Sequence, residues 1–210
     1  MVTAFKFSVT LYERYYFFIL ILLASCANKT DQTNRTFKRN LPDTTKTWSG
    51  RMTRESFLLT RDLENRLGLQ TLSNGVNNTE IRMWTLSGFY DPQILFILKN
   101  DSSPLWHLRT ISFYKTKNDS IYADFTRIIH QHTIDNIDLS RYWSLASQSD
   151  LKGGDSIGCM DGADLFVELA DSTRYRFMWY RCPDINLKKD SAIRLAYELG
   201  SRLDGLSVAH

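Results

Sequence analysis

Apolar positions along the chain recur in two rhythms. Over residues 55–67 they fall every fourth place, at Leu59, Leu63 and Leu67, with Gly68 as a natural stop, which predicts a helix over Glu55–Leu67. Four runs of strand character follow: Glu80–Ser87, Gln93–Asn100, Leu105–Thr116 and Ile121–Gln131. Turn-forming residues separate them, notably Asp91-Pro92, Asn100–Pro104 and Lys117–Asp119. Connections this short favour antiparallel neighbours over crossovers. Residues 137–147 read as a short helix around Tyr142 and Trp143, and 152–162 as a glycine-rich loop. Two further runs then alternate, Asp164–Ala170 with Leu165, Val167 and Leu169, and Arg174–Cys182 with Tyr175, Phe177 and Trp179. Pairing Ala170 with Arg174 would bring all six onto one face and set Glu168 opposite Arg176. Asp190 suits the N-cap of a last helix whose stripe is Ala192, Leu195, Ala196, Leu199, Leu203 and Leu206, and Ala192, Ala196 and Gly200 would let it approach the sheet closely. The expected architecture is α+β: an antiparallel meander of about six strands with N- and C-terminal helices packed on one face.

The N-terminus follows neither rhythm. Lys6 and Arg14 precede an uncharged run, Tyr15–Ala24, that includes Phe17, Phe18, Ile19, Leu20, Ile21, Leu22 and Leu23. A membrane-spanning helix needs about 20 such residues, so this run has the length of a secretory signal core. The run ends in Leu23-Ala24-Ser25-Cys26, an aliphatic residue and two small ones before a cysteine, which resembles a bacterial lipobox. The resemblance covers residues 1–26 and implies that Cys26 carries diacylglycerol and begins the mature chain. It also implies a membrane lipid as partner and the bacterial cell envelope as location. Ala27 stands where an aspartate would resemble an inner-membrane retention signal, which directs the expectation to the outer membrane, facing the periplasm. Removing Cys26 leaves Cys159 and Cys182, an even pair suited to a disulfide in an oxidising compartment.

Charge sharpens the division. The 210-residue chain carries a formal +3, but its parts differ: residues 1–25 hold +1, 26–54 hold +5 and 55–210 hold −3. Residues 26–54 have few large apolar side chains and no period, so they read as a polar, basic tether. Residues 55–210 read as one domain. The basicity therefore belongs to the tether, and no nucleic-acid partner is expected.

Few groups suggest chemistry. Gly154-Asp155-Ser156-Ile157-Gly158 matches the Gly-x-Ser-x-Gly of a nucleophile elbow and the Gly-Asp-Ser-Ile of lipolytic enzymes, making Ser156 a candidate nucleophile; only His210 follows it as a base. His130 and His132 lie two apart at a strand end, with Asp124 nearby, a spacing that suits two metal ligands if a third converges. Trp84, Trp106, Trp143 and Trp179 line a groove or fill the core. Asp161-Gly162, Glu168, Tyr175, Arg181 and Pro183 form a pattern similar to that of small, uncharacterised bacterial envelope proteins, over about a quarter of the chain. That resemblance implies no activity. No cofactor and no small-molecule ligand is expected. The sequence favours a non-enzymatic lipoprotein that binds an envelope protein, with a periplasmic serine hydrolase using Ser156 and an envelope immunity protein as alternatives.

Overall fold

A computed structural model describes residues 37–42, 47–88, 92–100, 104–114, 120–157, 159 and 162–208, all within one compact unit spanning 37–210. Seven strands form one sheet: β1 (Lys38–Asn40), β2 (Glu80–Ser87), β3 (Gln93–Asn100), β4 (Leu105–Tyr114), β5 (Ser120–His130), β6 (Ala163–Ala170) and β7 (Arg174–Arg181). Among the described residues the helices are α1 (Trp48–Arg66), α2 (Gln131–Asp135), α3 (Pro183–Asn186) and α4 (Ser191–Val208). Short 3-10 turns, including Leu139–Ser144 around Tyr142 and Trp143, fill the stretch between α2 and β6.

The α+β expectation holds, but the sheet is not a simple meander. Its order is β1-β7-β6-β2-β3-β4-β5. The chain runs β2 to β5 outward as a meander, then returns so that β6 pairs with the inner side of β2. β1 adds a seventh strand parallel to β7, with Lys38 beside Arg174, and makes the sheet mixed.

Helices cover both faces, not one. Ile81, Met83, Leu98, Leu108, Val167 and Met178 join Ile193, Ala196, Leu199 and Leu203 of α4 in one core. Trp84, Leu95, Ile111, Phe166, Phe177 and Trp179 join Leu63 of α1 in another. Gly200 of α4 does face the sheet at close range: a Cβ there would meet Met83 Sδ at 3.0 Å.

Two-sided burial also explains the hairpin register. Ala170 pairs with Tyr175, Glu168 with Phe177 and Phe166 with Trp179, one residue away from the expected pairing. Leu165, Val167 and Leu169 therefore face α4 with Met178 and Tyr180, while Tyr175, Phe177 and Trp179 face α1. A single buried face would specify the expected register, and here both faces are buried. The turn is fixed instead by Asp171, whose Oδ1 accepts from Thr173 N at 2.8 Å and Arg174 N at 3.0 Å.

Helix α1 begins seven residues before the expected start. Its inward face is polar, with Ser49, Thr53, Ser56, Thr60 and Glu64 all buried, so no apolar period marks it. The hydroxyls of Thr53 and Thr60 donate to the carbonyls of Ser49 and Phe57, and Thr47 accepts from Gly50 N as N-cap. Of the expected stripe, Leu63 and Leu67 are buried and Leu59 is exposed. Residues 38–40 and 48–54, expected as tether, are thus strand and helix. Residues 37–210 carry 22 basic against 21 acidic groups, a net +1.

Candidate functional site

Beneath α1, charged side chains converge on the sheet. β2 alternates Glu80, Arg82 and Trp84 toward α1, and Glu168 of β6 lies directly opposite Arg82. Glu64 and Arg61 descend from the last turns of α1. Glu64, Glu168 and Trp84 are fully buried, and Arg82, Glu80 and Tyr175 nearly so.

The carboxylate of Glu168 is the hub. Its Oε1 accepts from Trp84 Nε1 at 2.7 Å, and its Oε2 from Tyr175 OH at 2.7 Å and from Arg61 Nη2. Arg61 Nη2 also lies 3.0 Å from Glu64 Oε1, and its guanidinium packs over the rings of Phe57 and Tyr175. Arg82 bridges the other pair, Nη1 to Glu64 Oε1 and Nε to Glu80 Oε1 at 2.7 Å. Three carboxylates thus face two guanidiniums. Buried charge needs partners, and the excess falls on Glu64, whose Oε2 has none. Burial and the neighbouring Glu168 carboxylate push the Glu64 carboxyl up to about 7, against the opposing pull of Arg61 and Arg82. Burial and Glu168 likewise raise the Tyr175 phenol well above its ordinary value. The cluster fastens α1 to the sheet and places a titrating carboxyl near neutrality.

The expected pairing of Glu168 with Arg176 is not formed. The one-residue change of register puts Arg176 opposite Leu169, on the α4 face, where its guanidinium donates to the Leu145 carbonyl. Nothing in the spacing of Arg61, Glu64, Glu80 and Arg82 announces their convergence. The available signal was the presence of Glu80 and Arg82 inside a run otherwise built for a buried strand.

The Gly-Asp-Ser loop is a clasp. Residues 154–156 form a 3-10 turn, without the strand leading in and helix leading out that an elbow requires. Ser156 is exposed, and its Oγ donates to the Gly153 carbonyl at 2.7 Å. Asp155 Oδ1 accepts from Ser49 N at 2.7 Å, at the N-terminus of α1, and hydrogen bonding from the Ser49 hydroxyl, then from its backbone N–H, holds the carboxyl below the usual range. Gln148, fully buried, donates to the carbonyls of Gly154 and Ile157 and accepts from Arg181 N. A Cβ on Gly154 would run into the Gln148 carbonyl. Gly154, Asp155, Ser156 and Ile157 of the motif thus each have a structural duty.

Cys159 and Cys182 form the expected disulfide, with Cα atoms 6.2 Å apart. It ties the loop to the end of β7, and Gly162 packs so closely that a Cβ would overlap both sulfurs. His130 and His132 stack at 5.9 Å between ring centroids, while Asp124 is engaged by Arg109. Among the described residues no group of three or more His, Cys, Asp or Glu is placed to hold a metal. Trp84, Trp106 and Trp179 are core residues, and Trp143 stacks under the Arg174 guanidinium at 3.8 Å. Cys26, Asp161 and His210 lie outside the described residues.

One cavity on the α4 face, of about 280 Å³, is lined by apolar Ile94, Phe96 and Leu165 and by the carboxylates of Asp164, Asp184 and Asp204. Another, of about 380 Å³, lies beside α1 between Leu59, Leu63, Arg66, Gln93, Phe113 and Phe166. Glu80 alone of the charged cluster lines a third, of about 180 Å³, with Lys99, Asn77 and Asn78. No helix among the described residues is long and apolar enough to cross a membrane. No protein-family model, no curated protein and no solved structure matches this chain.

Proposed function

We propose that the protein is a cell-envelope lipoprotein, held by acylated Cys26 on the periplasmic face of the outer membrane, whose domain binds another envelope protein and catalyses no reaction. The observation that carries the reading is Leu23-Ala24-Ser25-Cys26 at the end of the uncharged run 15–24. That order presents a small extended segment to a peptidase beside a thiol ready for acylation, and several acyl chains at roughly 0.8 kcal/mol per buried CH₂ hold a protein essentially permanently on a bilayer.

Two features of the domain support binding over catalysis. The hydroxyl of Ser156, the catalytic candidate by motif, is engaged in holding its own loop, and the neighbouring Asp155 carboxylate holds the start of α1. The cavity beside α4 joins an apolar lining to three carboxylates, a combination that suits a Lys- or Arg-bearing protein segment whose aliphatic stem is buried and whose charge is met at the rim. The test is affinity capture of the full chain from crosslinked envelopes, beside an Asp184→Lys, Asp204→Lys variant. A specific partner retained by the wild type and lost by the variant is expected. Identical capture profiles for the two proteins would overturn the reading.

A further inference from the structure

The two long helices are held to the sheet by different means. The inward residues of α4 are Ala192, Ile193, Ala196, Leu199, Leu203 and Ser207, apolar but for the last. Those of α1 are Ser49, Gly50, Thr53, Ser56, Thr60, Leu63 and Glu64, with one large apolar side chain among them. Trp48, Met52 and Phe57 add half-buried contact, and Leu67 packs just past the helix end. A segment with little buried apolar contact is the first to open. The start of α1 is pinned, by Asp155 at Ser49 N and by Arg181 over the Trp48 ring. Its last two turns, residues 60–66, are fastened instead by Leu63 and by the charges of Arg61 and Glu64. Leu59, Leu63 and Arg66 also wall the cavity of about 380 Å³ beside the helix, which leaves these turns room to shift.

The charges around Glu64 are Arg61 on its own helix, Arg82 and Glu80 of β2, Glu168 of β6 and the phenol of Tyr175 on β7. From the 3-10 turn after α1, Leu72 N donates to Glu64 Oε1 at 3.3 Å. The two guanidiniums cancel the carboxylates of Glu80 and Glu168, so the cluster is neutral only while Glu64 is protonated. Ionised, it holds one negative charge in excess, on a fully buried carboxyl whose Oε2 has no partner. A buried charge needs a partner or water, and water reaches Oε2 only if these turns move off the sheet. We propose that residues 60–66 are a proton-operated latch, closed on the sheet while Glu64 keeps its proton and lifted when that proton passes to solvent. The direction is set by the closed-state value of about 7 against 4.5 for the unperturbed group: rising pH opens the latch. Between pH 5.5 and 8.5 the ratio of open to closed grows by about 30-fold. Lifting opens the apolar wall that Leu63 and Phe166 form in the cavity, so the surface offered to a ligand depends on pH. The latch does not rest on acylation of Cys26 or on the cavity beside α4.

The test is thiol alkylation of the full chain by N-ethylmaleimide, read on the modified peptide and corrected for the thiolate fraction. Thr60→Cys places a thiol on the buried face of the latch, and Ala196→Cys places one on the buried face of α4 as the control. From pH 5.5 to 8.5 the rate at Thr60→Cys is expected to rise by more than tenfold. With Glu64→Gln added it should rise by less than threefold, and Ala196→Cys should react at least tenfold more slowly than Thr60→Cys at both pH values. A rise of tenfold or less, a rise of threefold or more with Glu64→Gln, or Ala196→Cys reacting nearly as fast as Thr60→Cys would overturn the proposal. Should a variant fail to fold, hydrogen exchange of the unaltered chain reads the same opening. Residues 61–67 should then lose more than tenfold protection over that interval and be less protected than α4 throughout, and protection equal to that of α4 would overturn the latch.

Discussion

Arg61 of α1 and Glu168 of β6, 107 residues apart in the chain, form an ion pair beneath the helix, and the same carboxylate accepts from Trp84 and Tyr175. An ionised hub with three donors is costly to break from one side only. Glu168→Leu leaves a half-buried guanidinium and two buried donors without their acceptor, and should destabilise the fold by about 3–5 kcal/mol in urea titration. Arg61→Met combined with Glu168→Leu should lose less than the sum of the single changes, by about 1–3 kcal/mol. Additive losses would show that the pair is not coupled.

Glu64 gives the fold a pH signature. Its carboxyl, at about 7 in the folded state against 4.5 when unperturbed, holds its proton more tightly folded than unfolded. Folding is therefore favoured while the group stays protonated, and stability falls as pH rises from about 4.5 to about 7, by about 3 kcal/mol, then levels off. Glu64→Gln should flatten that segment of the profile. A variant that keeps the wild-type slope would locate the titration elsewhere.

The disulfide closes a loop with a separation of 23 residues, worth about 3 kcal/mol on the chain-entropy account. Cys182→Ser should lower the melting temperature under oxidising conditions and leave it equal to the wild type's in reductant. Gly162→Ala, whose new methyl would overlap both sulfurs, should destabilise the oxidised protein more than the reduced one.

Ser156→Ala removes one exposed hydroxyl and should change stability by less than about 0.5 kcal/mol. Asp155→Ala, which removes the acceptor at the start of α1, should lower the melting temperature more than Ser156→Ala does. A fluorophosphonate serine probe should label neither wild type nor Ser156→Ala. Labelling of the wild type alone would make the loop a catalytic site.

Much of the strand pattern was readable from sequence, because β2, β3 and β6 are bounded by turn residues and need no knowledge of their partners. The disulfide followed from cysteine arithmetic, and the Asp190 cap of α4 from its side chain, which accepts from Ala192 N. What escaped depended on the second buried face. Ser49, Thr53, Ser56 and Thr60 give α1 an inward face without an apolar period, so its first two turns read as tether. With both sides of β6 and β7 buried, alternation alone could not choose between neighbouring registers, and the Asp171 turn decided it. That choice also governed the site: one residue's slip separates Glu168 from Arg176 and leaves it facing Arg61, a contact set by tertiary packing. The charge balance changed with it. Once β1 and the start of α1 belong to the domain, its net charge is +1, and the strongly basic tether of residues 26–54 shrinks to the segment before residue 37.

The central claim, a lipid-anchored envelope protein, meets its most direct test in metabolic labelling with an alkyne fatty acid in a bacterial host. The wild type should take up the label and sediment with membranes, and Cys26→Ala should do neither. Label on Cys26→Ala, or none on the wild type, would contradict the account.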